Sequence, residues 1–185
     1  MRTEIFYLFQ LFNEKKECVY SRRERAHSFV CAFDQVLYTK LSGLSFGIID
    51  TNNISRSVGG TDAFSLNALV TDDTFGIVVG SGMNAVTISD YKLQTKILNG
   101  STAGTLQYGA HTFYVPTIVS NYCYTRFSRP FHNATANPIT VNETGVIWKD
   151  TNSNWYFLIE RNIPTPYPIP AGFGGLVTCE FRVTV

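Results

Sequence analysis

Glu143 and Glu160 stand on neighbouring β-like segments that a hairpin can bring face to face. Two facing carboxyl groups are what glycoside hydrolysis needs, one to protonate the leaving oxygen and one to attack or to activate water. The competing reading is that Glu160 alternates outward along its strand and pairs with a neighbouring arginine. Three histidines, His27, His111 and His132, have no second ligand at a spacing that fixes metal geometry. Gly80-Ser81-Gly82 has part of a phosphate loop but lacks the Gly-Lys-Ser/Thr ending that neutralises phosphate, so it reads as a strand-ending turn. No Ser or Cys sits in a nucleophile elbow. These residues name no reaction, and no catalytic, cofactor-binding or metal-ligating residue is expected.

Cys18, Cys31, Cys123 and Cys179 lie far apart with no CxxC pair, and read as reduced thiols used as small apolar residues. Arg22, Arg23 and Arg25 make a short basic cluster that reads as the solvated start of a helix, with nucleic acid or an acidic partner as the alternatives. The formal net charge is only +1, which gives no long-range field, so direct nucleic-acid binding by the whole domain is not expected. With 44% hydrophobic and 16% charged residues the chain can bury a sizeable core. A length of 185 residues favours one principal core with an appendage. The apolar run Ile5 to Phe12 is too short to span a bilayer, and Glu4 with no small-residue cleavage site argues against a signal peptide. The sequons at Asn53, Asn99, Asn133 and Asn142 read as chance in a chain rich in Asn, Ser and Thr.

The elements that must position these residues are mostly strands. In the closing stretch, Val177, Cys179, Phe181, Val183 and Val185 alternate with Thr178, Glu180, Arg182 and Thr184, the period of a half-buried strand. Phe75 to Gly80 is an apolar run bounded by glycines, as in a strand covered on both faces. Residues 106–115 and 118–131 read as extended segments broken at Pro116, and residues 139–148 and 155–159 as a hairpin. Between Ser28 and Leu41 apolar residues recur at three- and four-residue steps, which predicts a helix stopped by Gly43. The expectation is a mainly β chain: an antiparallel β-sandwich, jelly-roll or immunoglobulin-like, over residues 44–185, with an N-terminal arm and helix over residues 1–43. Ile5, Phe6, Leu8, Phe9 and Phe12 would leave an apolar patch on a free arm. Together with Arg22, Arg23 and Arg25 they are the expected partner interface.

Several phrases carry a resemblance: FGIVVGSGMNAVTISDYKL from Phe75, LQYG from Leu106, FSRPFHNATANPITVNETGV from Phe127, WYFLIERN from Trp155 and PIPAGFGGLVTCEFRV from Pro168. Their order resembles small β-rich structural proteins of tailed bacteriophages and related viruses, accessory parts of the head, neck or tail. The resemblance implies a non-enzymatic virion component, found in the virion and in the host cytoplasm during assembly. It implies a homo-oligomer that contacts capsid, connector or tail proteins and no membrane. The alternative is a carbohydrate- or receptor-binding sandwich of a viral fibre, with aromatic residues on its strands as a stacking platform. A hydrolase ranks last.

Overall fold

The closing alternation builds a central strand. In the structure, a computed structural model describing residues 2–26 and 29–184, β14 (Gly174–Thr184) lies between β1 (Arg2–Phe12) and β9 (Tyr122–His132), antiparallel to both. β2 (Cys18–Ala26) extends this sheet beyond β1. On the far side, β7 (Gln107–Tyr108) and β8 (Thr112–Val119) both pair with β9. The inward row runs across strands through Ile5, Phe181 and Thr125, then Tyr7, Cys179 and Phe127, then Phe9, Val177 and Arg129.

The helix expected before Gly43 is present, but the segment ahead of it is part of the sheet and not a free arm. β1 pairs with β14 from Arg2 opposite Thr184 to Phe12 opposite Gly174, and Ile5, Tyr7 and Phe9 are buried in the chain's own core. The physical reason is that β14 would otherwise be a bare edge, and β1 supplies both its hydrogen bonds and the apolar row that continues its inner face. The helix α1 (Cys31–Ser42) follows β2 and ends at Gly43, whose φ of 72° and N–H to Thr39 O bond close it. Ala32, Val36 and Thr39 are its buried residues, whereas Leu37 and Leu41 of the expected stripe are exposed.

The second sheet is centred on β11 (Glu143–Asp150), which pairs with β12 (Tyr156–Asn162) on one side and with β5 (Phe64–Ser65) and β6 (Gly76–Gly80) on the other. Every residue of β6 is buried, as its Gly-bounded apolar run predicts. One face of this sheet meets the inner face of the first, and residues 82–97 lie over the other, contributing buried Leu93 and Ile97. Two small antiparallel pairs complete the chain: β3 (Phe46–Ile49) with β4 (Ser55–Val58), and β10 (Ile139–Val141) with β13 (Tyr167–Ile169), where Pro168 occupies a short edge. The architecture is therefore mainly β with antiparallel sheets.

Candidate functional site

The two glutamates lie on opposite faces of the second sheet. Register places Val146 opposite Glu160 and Gly145 opposite Arg161, so Glu160 shares a face with Val146 while Glu143 shares one with Gly145 and Arg161. They cannot flank one glycosidic bond. Glu160 also does not turn outward to an arginine. It is fully buried between the sheets, where the Tyr7 hydroxyl donates to its Oε2. Burial pushes the Glu160 carboxyl up to about 8 despite the Tyr7 bond, and burial followed by the Glu160 charge pushes the Tyr7 phenol well up. Glu160 Oε1 and Thr144 Oγ1 are buried without a hydrogen-bond partner, which suits a carboxyl that keeps its proton. The Cys179 thiol, beside Tyr7, is likewise driven up by burial.

Glu143 is the glutamate that pairs with an arginine. Its Oε1 accepts from Arg161 Nε at 2.6 Å and from the Gln94 N–H at 2.7 Å, and its Oε2 accepts from the Thr95 N–H at 3.2 Å. Arg161 Nη1 reaches Asp90 at 2.7 Å, and Nη2 donates to Asn84 O at 3.1 Å. Burial works against the Arg161 charge, but its bonds to Asp90 and Glu143 outweigh it and raise its pKa. These bonds tie the covering segment 82–97 to the sheet. A hollow of about 490 Å³ borders it, but the guanidinium's N–H groups already point at protein acceptors.

A third polar centre sits inside the first sheet. Arg129 is fully buried and bonds five carbonyls: Nε to Gly109 at 2.9 Å, Nη1 to Phe75 and Ile77 at 3.0 Å, and Nη2 to Leu69 at 3.2 Å and to Asp72. Its guanidinium carbon stacks 4.7 Å from the Tyr108 ring. Next to it, His111 Nε2 accepts the Ile77 N–H at 2.8 Å, and burial followed by the Arg129 charge lowers His111 to about 4. Gly76 has φ of 80°, and a Cβ there would run into the His111 ring. The centre gathers loops and is closed to solvent, so sequence spacing, which sees side-chain pairs, gave no sign of it.

The expected interface residues divide between two faces. Ile5 and Phe9 face the core, while Phe6, Leu8 and Phe12 are half-buried. Arg22, Arg23 and Arg25 lie in β2, not at a helix start. Arg22 lies opposite Phe9 on the inner side and pairs with Glu24 at 2.9 Å. Arg23 and Arg25 lie on the outer face beside Leu8 and Phe6, and pair with Glu180 at 2.9 Å and Glu4 at 3.3 Å. The outer face also carries Arg126 and Arg182, which lie next to each other's strands and among tyrosines.

His27 lies outside the described residues, and His132 is exposed on β9. Cys18, Cys31 and Cys123 are exposed thiols and Cys179 a buried one. The Asn133 side chain is buried and donates to Asn137 O at 2.9 Å and Ile169 O at 2.8 Å, so this sequon serves a turn. Gly80-Ser81-Gly82 ends β6, and the Ser81 N–H is taken by Thr95 O. Among the described residues, no helix is long and apolar enough to cross a membrane. No family model, curated protein or solved structure matches this chain.

Proposed function

We propose that the chain is a non-enzymatic structural subunit of a virion, an antiparallel β-sandwich that assembles with copies of itself and with capsid, connector or tail proteins. One observation carries this reading: the edge strand β8 leaves Val115 84% and Ile118 79% exposed, with Phe113, Tyr114 and Val119 also at the surface. An uncharged apolar edge of this kind is a liability in an isolated molecule and an asset in an assembly. The interior agrees with a scaffold role, because Glu143, Arg161 and Arg129 spend their polar atoms on internal bonds. The resemblance to phage structural proteins points the same way. Sedimentation or native mass spectrometry of the purified chain tests the reading: a discrete oligomer is expected, and a monomer at all accessible concentrations would overturn it.

A second reading, a carbohydrate- or receptor-binding module, has one observation in its favour. A hollow of about 320 Å³ is lined by Thr51, Asn52, Lys92, Lys96 and Tyr156 over an apolar floor. A glycan array with the wild-type chain distinguishes the two, since saturable sugar binding that Tyr156→Ala removes belongs only to this second reading.

A further inference from the structure

The outer face of the six-stranded sheet is not an ordinary solvated face, and on its central strands Ser128 and Thr178 are buried. Register across β2, β1, β14, β9 and β8 sets Arg25, Phe6, Glu180, Arg126 and Tyr114 in one row. The adjoining row sets Glu4, Arg182, Tyr124 and Thr117 side by side. With Arg23, which lies opposite Leu8, four arginines share a face with two glutamates.

Three of these arginines lie over aromatic rings. The Arg23 guanidinium carbon lies 3.7 Å from the Phe6 centroid, with Arg182 4.8 Å from the same ring and 4.2 Å from Tyr122. Arg126 lies 4.7 Å from Tyr124 and 5.7 Å from Tyr114. Stacking restrains the side chain before any partner arrives. The acids serve part of the set: Glu180 binds both Arg23 and Arg182, and Glu4 binds Arg25. Arg126 has no carboxylate partner among the described residues. Its Nε is buried with no hydrogen bond, and its one side-chain bond is from Nη2 to the Tyr124 hydroxyl at 3.3 Å. A restrained, uncompensated guanidinium among tyrosines has the composition of a protein-binding hot spot.

We propose that this sheet face docks an acidic segment of a partner protein, whose carboxylates pair with the Arg126 guanidinium and with the outer N–H groups of Arg25 and Arg182. The charge pattern selects the partner class. Glu4 and Glu180 stand in the middle of the face and would repel a continuous phosphate backbone, whereas a protein segment can set its carboxylates over the arginines alone. The inference deepens the structural-subunit reading and rests on it for one point, that the partner is a protein.

The test is fluorescence anisotropy with the full chain and a labelled oligoglutamate peptide, with oligoglutamine and oligothymidylate as comparators. Oligoglutamate is expected to bind, oligoglutamine is not, and binding should weaken as salt rises. Arg126→Gln should weaken it about tenfold, as loss of a charge-assisted hydrogen-bond pair implies. Arg25→Gln, at an exposed position that leaves the fold intact, should weaken it by a smaller factor. Absence of oligoglutamate binding overturns the inference, as does a folded Arg126→Gln chain that binds like the wild type. Tighter binding of oligothymidylate overturns it in favour of a nucleic-acid surface. The outcome is separable from the oligomer measurement: a monomer that binds oligoglutamate keeps this inference and loses the assembly reading, and an oligomer that ignores the peptide does the reverse.

Discussion

Glu160 is the residue whose surroundings most depart from what its sequence position suggests. Its carboxyl meets the Tyr7 hydroxyl and lies near Cys179, and no cation among the described residues pairs with it, so the neutral form is the one that folding favours. The consequence for stability has a definite sign. Because the folded pKa is about 8 against an ordinary value of 4.5, the native state holds a proton that the unfolded chain releases across this window. The contribution of Glu160 is greatest below pH 4.5, falls by about 1.4 kcal/mol per pH unit as pH rises, and levels off above pH 8. Glu160→Gln keeps the shape and removes the proton. Urea unfolding between these limits should show wild-type stability declining relative to the variant as pH rises, with the variant the more stable at the alkaline end. Parallel pH profiles for the two chains would mean that Glu160 is ionised in the native protein.

At the scale of elements, the sheet's register makes a sharp statement about β1. Phe9 is fully buried opposite Val177, whereas Phe6 lies half-buried under Arg23 and Arg182 on the other face. Phe9→Ala should cost about 3–5 kcal/mol through lost burial and the cavity left behind. Phe6→Ala should cost roughly 1 kcal/mol, the worth of a partly exposed ring and its arginine contacts. Denaturant midpoints compare the two, and equal losses would show that the register is wrong. The same pair explains what was legible in the sequence. β14 was, because polar residues separate its apolar ones, and so were the Gly43 stop of the helix and the β11–β12 part of the expected 139–159 hairpin, whereas Ile139–Val141 pairs with β13 instead. β1 was not, because Phe6 and Leu8 fill the outward positions with apolar side chains and erase the alternation. Those outward positions tolerate apolar groups because arginines from β2 and β14 lie across them, a fact of register that no single segment contains. Arg129 was illegible for a related reason: its partners are backbone carbonyls of distant loops, which leave no mark on residue type. The Glu143 and Glu160 hairpin was legible, but the face each glutamate takes depends on the pairing of Gly145 with Arg161, which spacing alone left open.

The whole molecule is asymmetric at its two sheet edges. β2 presents Arg22, Arg23, Glu24 and Arg25 along its length, the kind of charge that keeps one edge from recruiting another strand. β8, TFYVPTIV, has no charge at all. Its defences are Pro116, which removes one N–H donor, and the irregular register between Tyr114 and Thr117. Those devices shorten the edge without making it polar, and Val115 and Ile118 remain the most exposed apolar side chains of that strand. If β8 is the assembly surface, Val115→Lys with Ile118→Lys should convert the oligomer to monomer while leaving the thermal midpoint of the fold unchanged, since neither side chain packs in the core. Leu41 is the matched comparison: it is 80% exposed on α1, and Leu41→Lys should leave the oligomer intact. Sedimentation velocity on the three chains reads both effects at once. Dissociation by the α1 substitution alone would move the interface to the helix and remove β8 from the assembly surface.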